Sequence, residues 1–211
     1  MIPARAFQRY DETDDARFYD QPRLVNHIDD RAIEATTALF SEYLPVNGVI
    51  LDLMSSWVSH LPADVSYQRV SGLGMNETEL RANPRLTDYF VQNLNQQPLL
   101  PYETGSFDGG MVTVSVQYLT NPVAVYRDLG RVLKPGAPFL TVFSNRMFPT
   151  KAVAIWQALD DVGHQQLVRS YYEQAGAFDA ITLLDRSPRG WGDPLFAVVG
   201  YRRSDEALPP A

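Results

Sequence analysis

The sequence predicts an α/β domain built on a doubly wound, mostly parallel sheet of seven strands with an antiparallel edge strand. Three observations carry that expectation. Five short apolar runs alternate with helical segments over residues 48–176. The run Met111 to Val116 is largely apolar, as suits a central parallel strand buried on both faces. Two late runs, 179–188 and 194–203, are separated only by a turn, which suits an antiparallel pair.

Each element has its own signal. Residues 1–28 mix Asp and Arg with Phe7, Tyr10, Phe18 and Tyr19, and read as an ordered N-terminal arm, since a disordered tail seldom carries so many aromatics. Residues 29–203 form a single domain. Asp29 or Asp30 caps a helix whose apolar face runs through Ile33, Thr37, Phe40 and Leu44 to a stop at Pro45. The first strand is 48–53, the second lies near 67–73, and Asn76 with Glu79 forms a capping pair for a short helix interrupted at Asn83-Pro84. Residues 87–95 give a third strand, 111–116 a fourth. Asn121-Pro122 opens a helix that Pro135-Gly136 closes. The fifth strand begins at Pro138, residues 150–163 and 164–176 read as two helices, and 204–211 as a frayed tail.

Composition narrows the function. Of 211 residues, 45% are hydrophobic and 20% charged, as in ordinary globular proteins. The net charge of −7 argues against nucleic acid or an anionic membrane as partner. With no cysteine there is no disulfide, thiolate metal site or catalytic thiol, and His27, His60 and His164 lack metal-ligand spacing. No secretory signal or membrane span is visible, so a cytoplasmic location is expected.

Residues 106–145, SFDGGMVTVSVQYLTNPVAVYRDLGRVLKPGAPFLTVFSN, resemble the second half of class I S-adenosylmethionine-dependent methyltransferases, in the small-molecule, type 11-like branch. Leu100-Pro101-Tyr102 and Phe107-Asp108 match the family's approach to strand four. Arg131 to Gly136, then Ala137, match its Arg-Val-Leu-Lys-Pro-Gly-Gly signature, and YYEQAGAFDAITLL its late helix and sixth strand. The likeness covers roughly 45–203 and implies a Rossmann-like fold with S-adenosylmethionine as cofactor.

Carried over residue by residue, the resemblance assigns a site. Asp52 matches the acid ending strand one, and Met54-Ser55-Ser56 replaces the expected glycine-rich turn. Paired hydroxyls there suit a carboxylate ligand, or else cap a following helix. Gly74, beside Met75, occupies the place of the acid that binds both ribose hydroxyls, a loss worth about 1.5–3 kcal/mol. Restoring an acid at 74 is expected to tighten ribose binding. Asn93 or Asn95 is set to read the adenine amine, or to shape a turn. Gln117 and Tyr118 fall in the cleft after strand four, Tyr118 as a positioning group rather than a base. Trp57 either stacks on a ligand or packs at a helix start. Arg146 is a candidate clamp for an acidic substrate, or an ion-pair partner of the arm's aspartates. The functional expectation is methyl transfer to a small molecule; the alternative is a non-catalytic binding module of the same fold that has lost the donor. A dinucleotide oxidoreductase is disfavoured, because no G-x-G-x-x-G follows any strand. The sequence leaves the oligomeric state open.

Overall fold

The computed structural model describes residues 2–204. Seven strands form one sheet: β1 (Val49–Leu53), β2 (Arg69–Gly74), β3 (Asp88–Val91), β4 (Gly109–Thr113), β5 (Pro138–Phe143), β6 (Phe178–Asp185) and β7 (Phe196–Arg202). Their order is β3-β2-β1-β4-β5-β7-β6. The first five are mutually parallel, and β7 runs antiparallel to both β5 and β6. The chain winds outward from β1 in one direction and from β4 in the other, so the crevice between them at the carboxyl ends is the switch point where such sheets take ligands.

The helices are α1 (Asp15–Tyr19), α2 (Asp30–Tyr43), α3 (Glu77–Ala82), α4 (Pro122–Val132), α5 (Ala154–Gln157) and α6 (Asp161–Ala175). Strand alternation sorts two apolar layers. Ile50, Val70, Met111, Leu140 and Val142 meet Ala32, Leu39 and Phe40 of α2 on one face. Leu51, Leu53, Val112 and Phe139 meet Val125, Tyr126 and Leu129 of α4 and Val168 and Tyr172 of α6 on the other. Asp29 caps α2 by accepting from the Ala32 N–H. Pro122 sits in the first turn of α4, and Gly176, at φ 73°, closes α6 in the left-handed conformation.

Several boundaries differ from the sequence reading. No helix lies between β1 and β2: residues 54–68 are irregular, with Leu61 buried against the α2 layer. β4 ends at Thr113 because Val114 takes φ 45°, and Val116–Tyr118 form a 3-10 turn. β3 covers only the first part of 87–95, since the Asn93 side chain accepts from the Asn95 N–H and turns the chain. The helix expected over 150–163 reduces to α5, because Asp160 caps α6 through the Gly163 N–H and claims residues 161–163 for it. Apart from Ser204, the tail read at 204–211 lies outside the described residues.

The N-terminal arm is ordered and lies across the carboxyl end of the sheet. Its anchor is electrostatic. Lys151, fully buried, reaches Asp15 and Asp11 at 3.2 Å each and donates to the Thr13 carbonyl at 2.8 Å. Arg9 pairs with the same Asp15 at 2.7 Å, and Asn95 donates to it at 3.0 Å. Burial works against the charge on Asp15, but the hydrogen bonds from Arg9, Asn95 and Lys151 outweigh it and hold its pKa below the usual carboxylate range. Breaking a buried pair is costly, because it leaves a charge uncompensated. Lys151→Met should therefore lower stability by about 3 kcal/mol in chemical denaturation and expose the amides of residues 9–20 to hydrogen exchange. Unchanged protection there would show that other contacts hold the arm.

Candidate functional site

A cavity of about 440 Å³ opens at the switch point. The turns after β1, β2 and β4 form its floor, and Tyr19, Arg23 and His27 of the arm form part of its roof. Its size falls within the range of small-molecule sites.

The turn after β1 decides the chemistry. Met54 takes φ 55°, the left-handed region that the expected glycine would fill without strain. The chain then leans onto β2, with the Ser55 N–H donating to the Leu73 carbonyl at 2.8 Å. That places the Ser55 carbonyl against Gly74, where an added Cβ would lie 2.2 Å from its oxygen. Gly74 is thus bare because the neighbouring backbone fills its side-chain space. The expectation that an acid restored at 74 would bind ribose is corrected by this contact.

The serine hydroxyls are likewise occupied, and with no helix following they cap none. Ser55 and Ser59 donate to Oδ2 of Asp52 at 2.7 and 2.6 Å. Ser56 donates to Glu79 at 2.6 Å, and Asn83 donates to both the Ser56 carbonyl and the Ser59 hydroxyl at 2.9 Å. Asp52 is buried, and desolvation pushes its pKa up to about 6 despite the two serine hydrogen bonds. Among the described residues Oδ1 of Asp52 accepts no hydrogen bond. On the adjacent strand, one residue beyond the Leu53–Val112 pairing, the Thr113 hydroxyl is buried without a partner. Both Asp52 and Thr113 line the cavity.

The other sequence candidates divide. Met54, Met75, Asn93 and Trp57 lie on the cavity wall, which neither Met54 nor Trp57 plugs. Trp57 donates from Nε1 to the Val25 carbonyl at 3.1 Å and ties the turn to the roof. Asn95 also lines the cavity, but its amide is engaged throughout: it donates to Asp15 and the Tyr118 carbonyl and accepts from the Thr120 N–H and hydroxyl. Tyr118 accepts from the Phe148 N–H at 2.9 Å and stacks on that ring, centroids 5.9 Å apart. Burial raises its pKa above the ordinary value, which removes it as a base. Gln117 is not on the cavity wall; it is buried and donates to the Val114 and Arg146 carbonyls, bracing the floor from behind. Arg146 lines the rim and pairs with Asp193 at 2.8 Å, in the segment before β7 rather than in the arm.

Sequence reasoning passed over the roof itself. Arg23 and His27 from the arm, Glu79 from α3 and Phe148 after β5 all line the cavity. The arm's aromatic content signalled order, but nothing in it signalled which surface the arm covers.

The raised pKa of Asp52 fixes a pH dependence. The folded carboxyl keeps its proton to about pH 6, whereas an unfolded aspartate releases it near its ordinary 3.8. Between those values unfolding releases a proton, so this group makes stability fall as pH rises, by about 3 kcal/mol in all, and adds no further slope above. Subtracting the Asp52→Asn stability curve from that of the wild type should isolate this decline between pH 4 and 6. A flat difference would mean that the carboxyl is not desolvated. In parallel, Gly74→Asp should cost at least about 1–3 kcal/mol from the clash with Ser55 and should tighten no ligand.

Residues 55–141 match the family model described as a methyltransferase domain. A 92-residue stretch is 30% identical to the biotin biosynthesis bifunctional protein BioHC of Teredinibacter turnerae, covering 40% of this chain but 16% of that protein. Among solved structures, the [4+2]-cyclase SpnF superposes with a TM-score of 0.62 at 14% identity, over 89% of this chain and 91% of that one. Phosphoethanolamine N-methyltransferase 2 of Haemonchus contortus, in complex with S-adenosyl-L-methionine, gives 0.60 at 12% identity, over 81% and 52%. An S-adenosylmethionine-dependent methyltransferase of Mesorhizobium loti gives 0.57 at 16%, over 80% and 98%. These structural likenesses speak to the fold. The signature at Arg131–Gly136, the match of residues 55–141 to a methyltransferase domain and the strand order agree in supporting a class I, type 11-like S-adenosylmethionine-dependent methyltransferase.

Proposed function

We propose that this protein transfers the methyl group of S-adenosylmethionine to a small-molecule acceptor enclosed beneath its N-terminal arm. One observation carries the reading: at the switch point a buried carboxylate, Asp52, keeps one oxygen without a partner among the described residues, and the likewise unpartnered Thr113 hydroxyl lines the same cavity. An acceptor pair of that kind suits the ammonium of a sulfonium amino acid. The donor, when bound, supplies a methyl carbon that an acceptor lone pair displaces from sulfur.

The chain's own residues bind, orient and exclude water. Asp52 and Thr113 hold the amino-acid end, and Asn93, whose oxygen already accepts from the Asn95 N–H, offers its amide NH2 to the adenine. The ribose finds no carboxylate at position 74, which should leave donor affinity about ten- to a hundredfold below that of a site with the acid. Tyr118 and Phe148 line the acceptor half, and the arm closes the roof. Transfer from a sulfonium needs an aligned nucleophile more than a strong base, so the absence of a tyrosinate is no obstacle. The net charge of −7 supports a small acceptor over a nucleic acid.

The competing reading, a module that binds no donor, rests on Gly74 and the serine turn. Titration separates the two. S-adenosylmethionine and S-adenosylhomocysteine should raise the melting temperature by several degrees at sub-millimolar concentration, and Asp52→Ala should abolish the shift while the folded protein persists. No response in the wild type would defeat the enzymatic reading, and an undiminished response in the variant would displace the pocket.

A further inference from the structure

We infer that the methyl acceptor is a small organic acid, and that Arg23 of the arm is the group that binds its carboxylate. The inference rests on the donor reading above, and it concerns the other half of the cavity. Arg23 is the cation of the roof that has no acid. Arg9 is paired with Asp15 and Arg146 with Asp193, whereas no carboxylate lies within salt-bridge distance of Arg23 among the described residues.

Its guanidinium is nonetheless held with care. It lies 4.5 Å from the centroid of the Phe18 ring, 5.3 Å from Phe148 and 5.9 Å from Tyr19. Nη2 donates to the Phe18 carbonyl at 2.9 Å. Nη1 is shielded from solvent and has no hydrogen-bond partner among the described residues. A buried charged donor left empty is expensive, and native structures normally fill such a position. Arg23 lines the cavity, so a ligand there can fill it. Three aromatic rings surround the guanidinium, whose N–H groups lie in the plane of its fork. Edge-on recognition by a planar fork favours a carboxylate.

Position argues for the acceptor rather than the donor as the owner of that carboxylate. The Arg23 main chain is fixed over the β2 side, its N–H donating to Glu79 of α3 at 2.7 Å. The side chain then crosses to Phe148, which follows β5 and stacks on Tyr118, which follows β4. Asp52, assigned to the amino-acid end of the donor, lies one residue before the end of β1. Val25, Leu119 and Met147 add apolar surface to the cavity lining, so the acid should carry an apolar body.

The test uses benzoate, phenylacetate and cinnamate as probes, with the matching amides, titrated calorimetrically into the full chain with and without saturating S-adenosylhomocysteine. The acids should bind and the amides should not. Arg23→Gln should weaken the acids about ten- to a hundredfold, Arg23→Lys should keep most of the affinity, and S-adenosylhomocysteine and 5′-methylthioadenosine should bind all three proteins alike. The proposal is overturned if no acid binds the wild type, if amides bind as well as acids, or if Arg23→Gln leaves acid binding intact. It is also overturned if Arg23→Gln weakens S-adenosylhomocysteine but spares 5′-methylthioadenosine, which lacks the carboxylate, because Arg23 would then serve the donor. Failure of S-adenosylhomocysteine to bind the wild type would instead count against the donor reading, while the probe series without it still tests Arg23.

Discussion

The contact between the Ser55 carbonyl and Gly74 governs the rest of the site. Once the turn after β1 leans onto β2, no side chain fits at position 74, and the usual seat of a ribose-binding acid is filled by backbone. The same lean brings Ser55 and Ser59 onto one oxygen of Asp52 and carries Ser56 to Glu79. Each hydroxyl therefore answers a polar group that the altered turn has buried. The second oxygen of Asp52 keeps no hydrogen-bond partner among the described residues, and burial raises the pKa of that carboxyl. Side-chain hydrogen bonds thus stitch the floor of the cavity together.

That stitching explains why the arm matters. In a sheet of this kind a helix after β1 would ordinarily brace the first turn. Here polar bonds from Asn83, Glu79 and the Trp57 indole do so, the last of them to the arm itself. Floor and roof thus support one another. A fold shared with both methyltransferases and a [4+2]-cyclase does not prescribe one reaction, which must be argued from the site.

Much of the scaffold was legible in the sequence. Seven strands, the antiparallel late pair and the caps at Asp29, Asn76 and Gly176 all follow from local patterning, because strand burial and helix termination are short-range matters. The short α5 was misread because Asp160 caps the helix after it, and a single acid in a polar run does not announce which side it serves. In the site, Asp52 and its turn were visible as a departure from a pattern. The meaning of the departure was not, since the Ser55–Gly74 contact joins residues whose relation exists only in three dimensions. Gln117 shows the same limit: its place in the chain matched the cleft, but its side chain turns to the carbonyls of Val114 and Arg146. The roof was out of reach altogether.

The arm's partners lie far along the chain. Tyr19 is bound by a residue 57 positions later, Asp15 by one 80 positions later, and Thr13 by Lys151, 138 positions on. Contacts of such sequence separation form late, after closer pairings have reduced the entropy of bringing the ends together. The arm should consequently be among the last segments to dock. Until it does, the assembled sheet would hold its cavity without a ceiling.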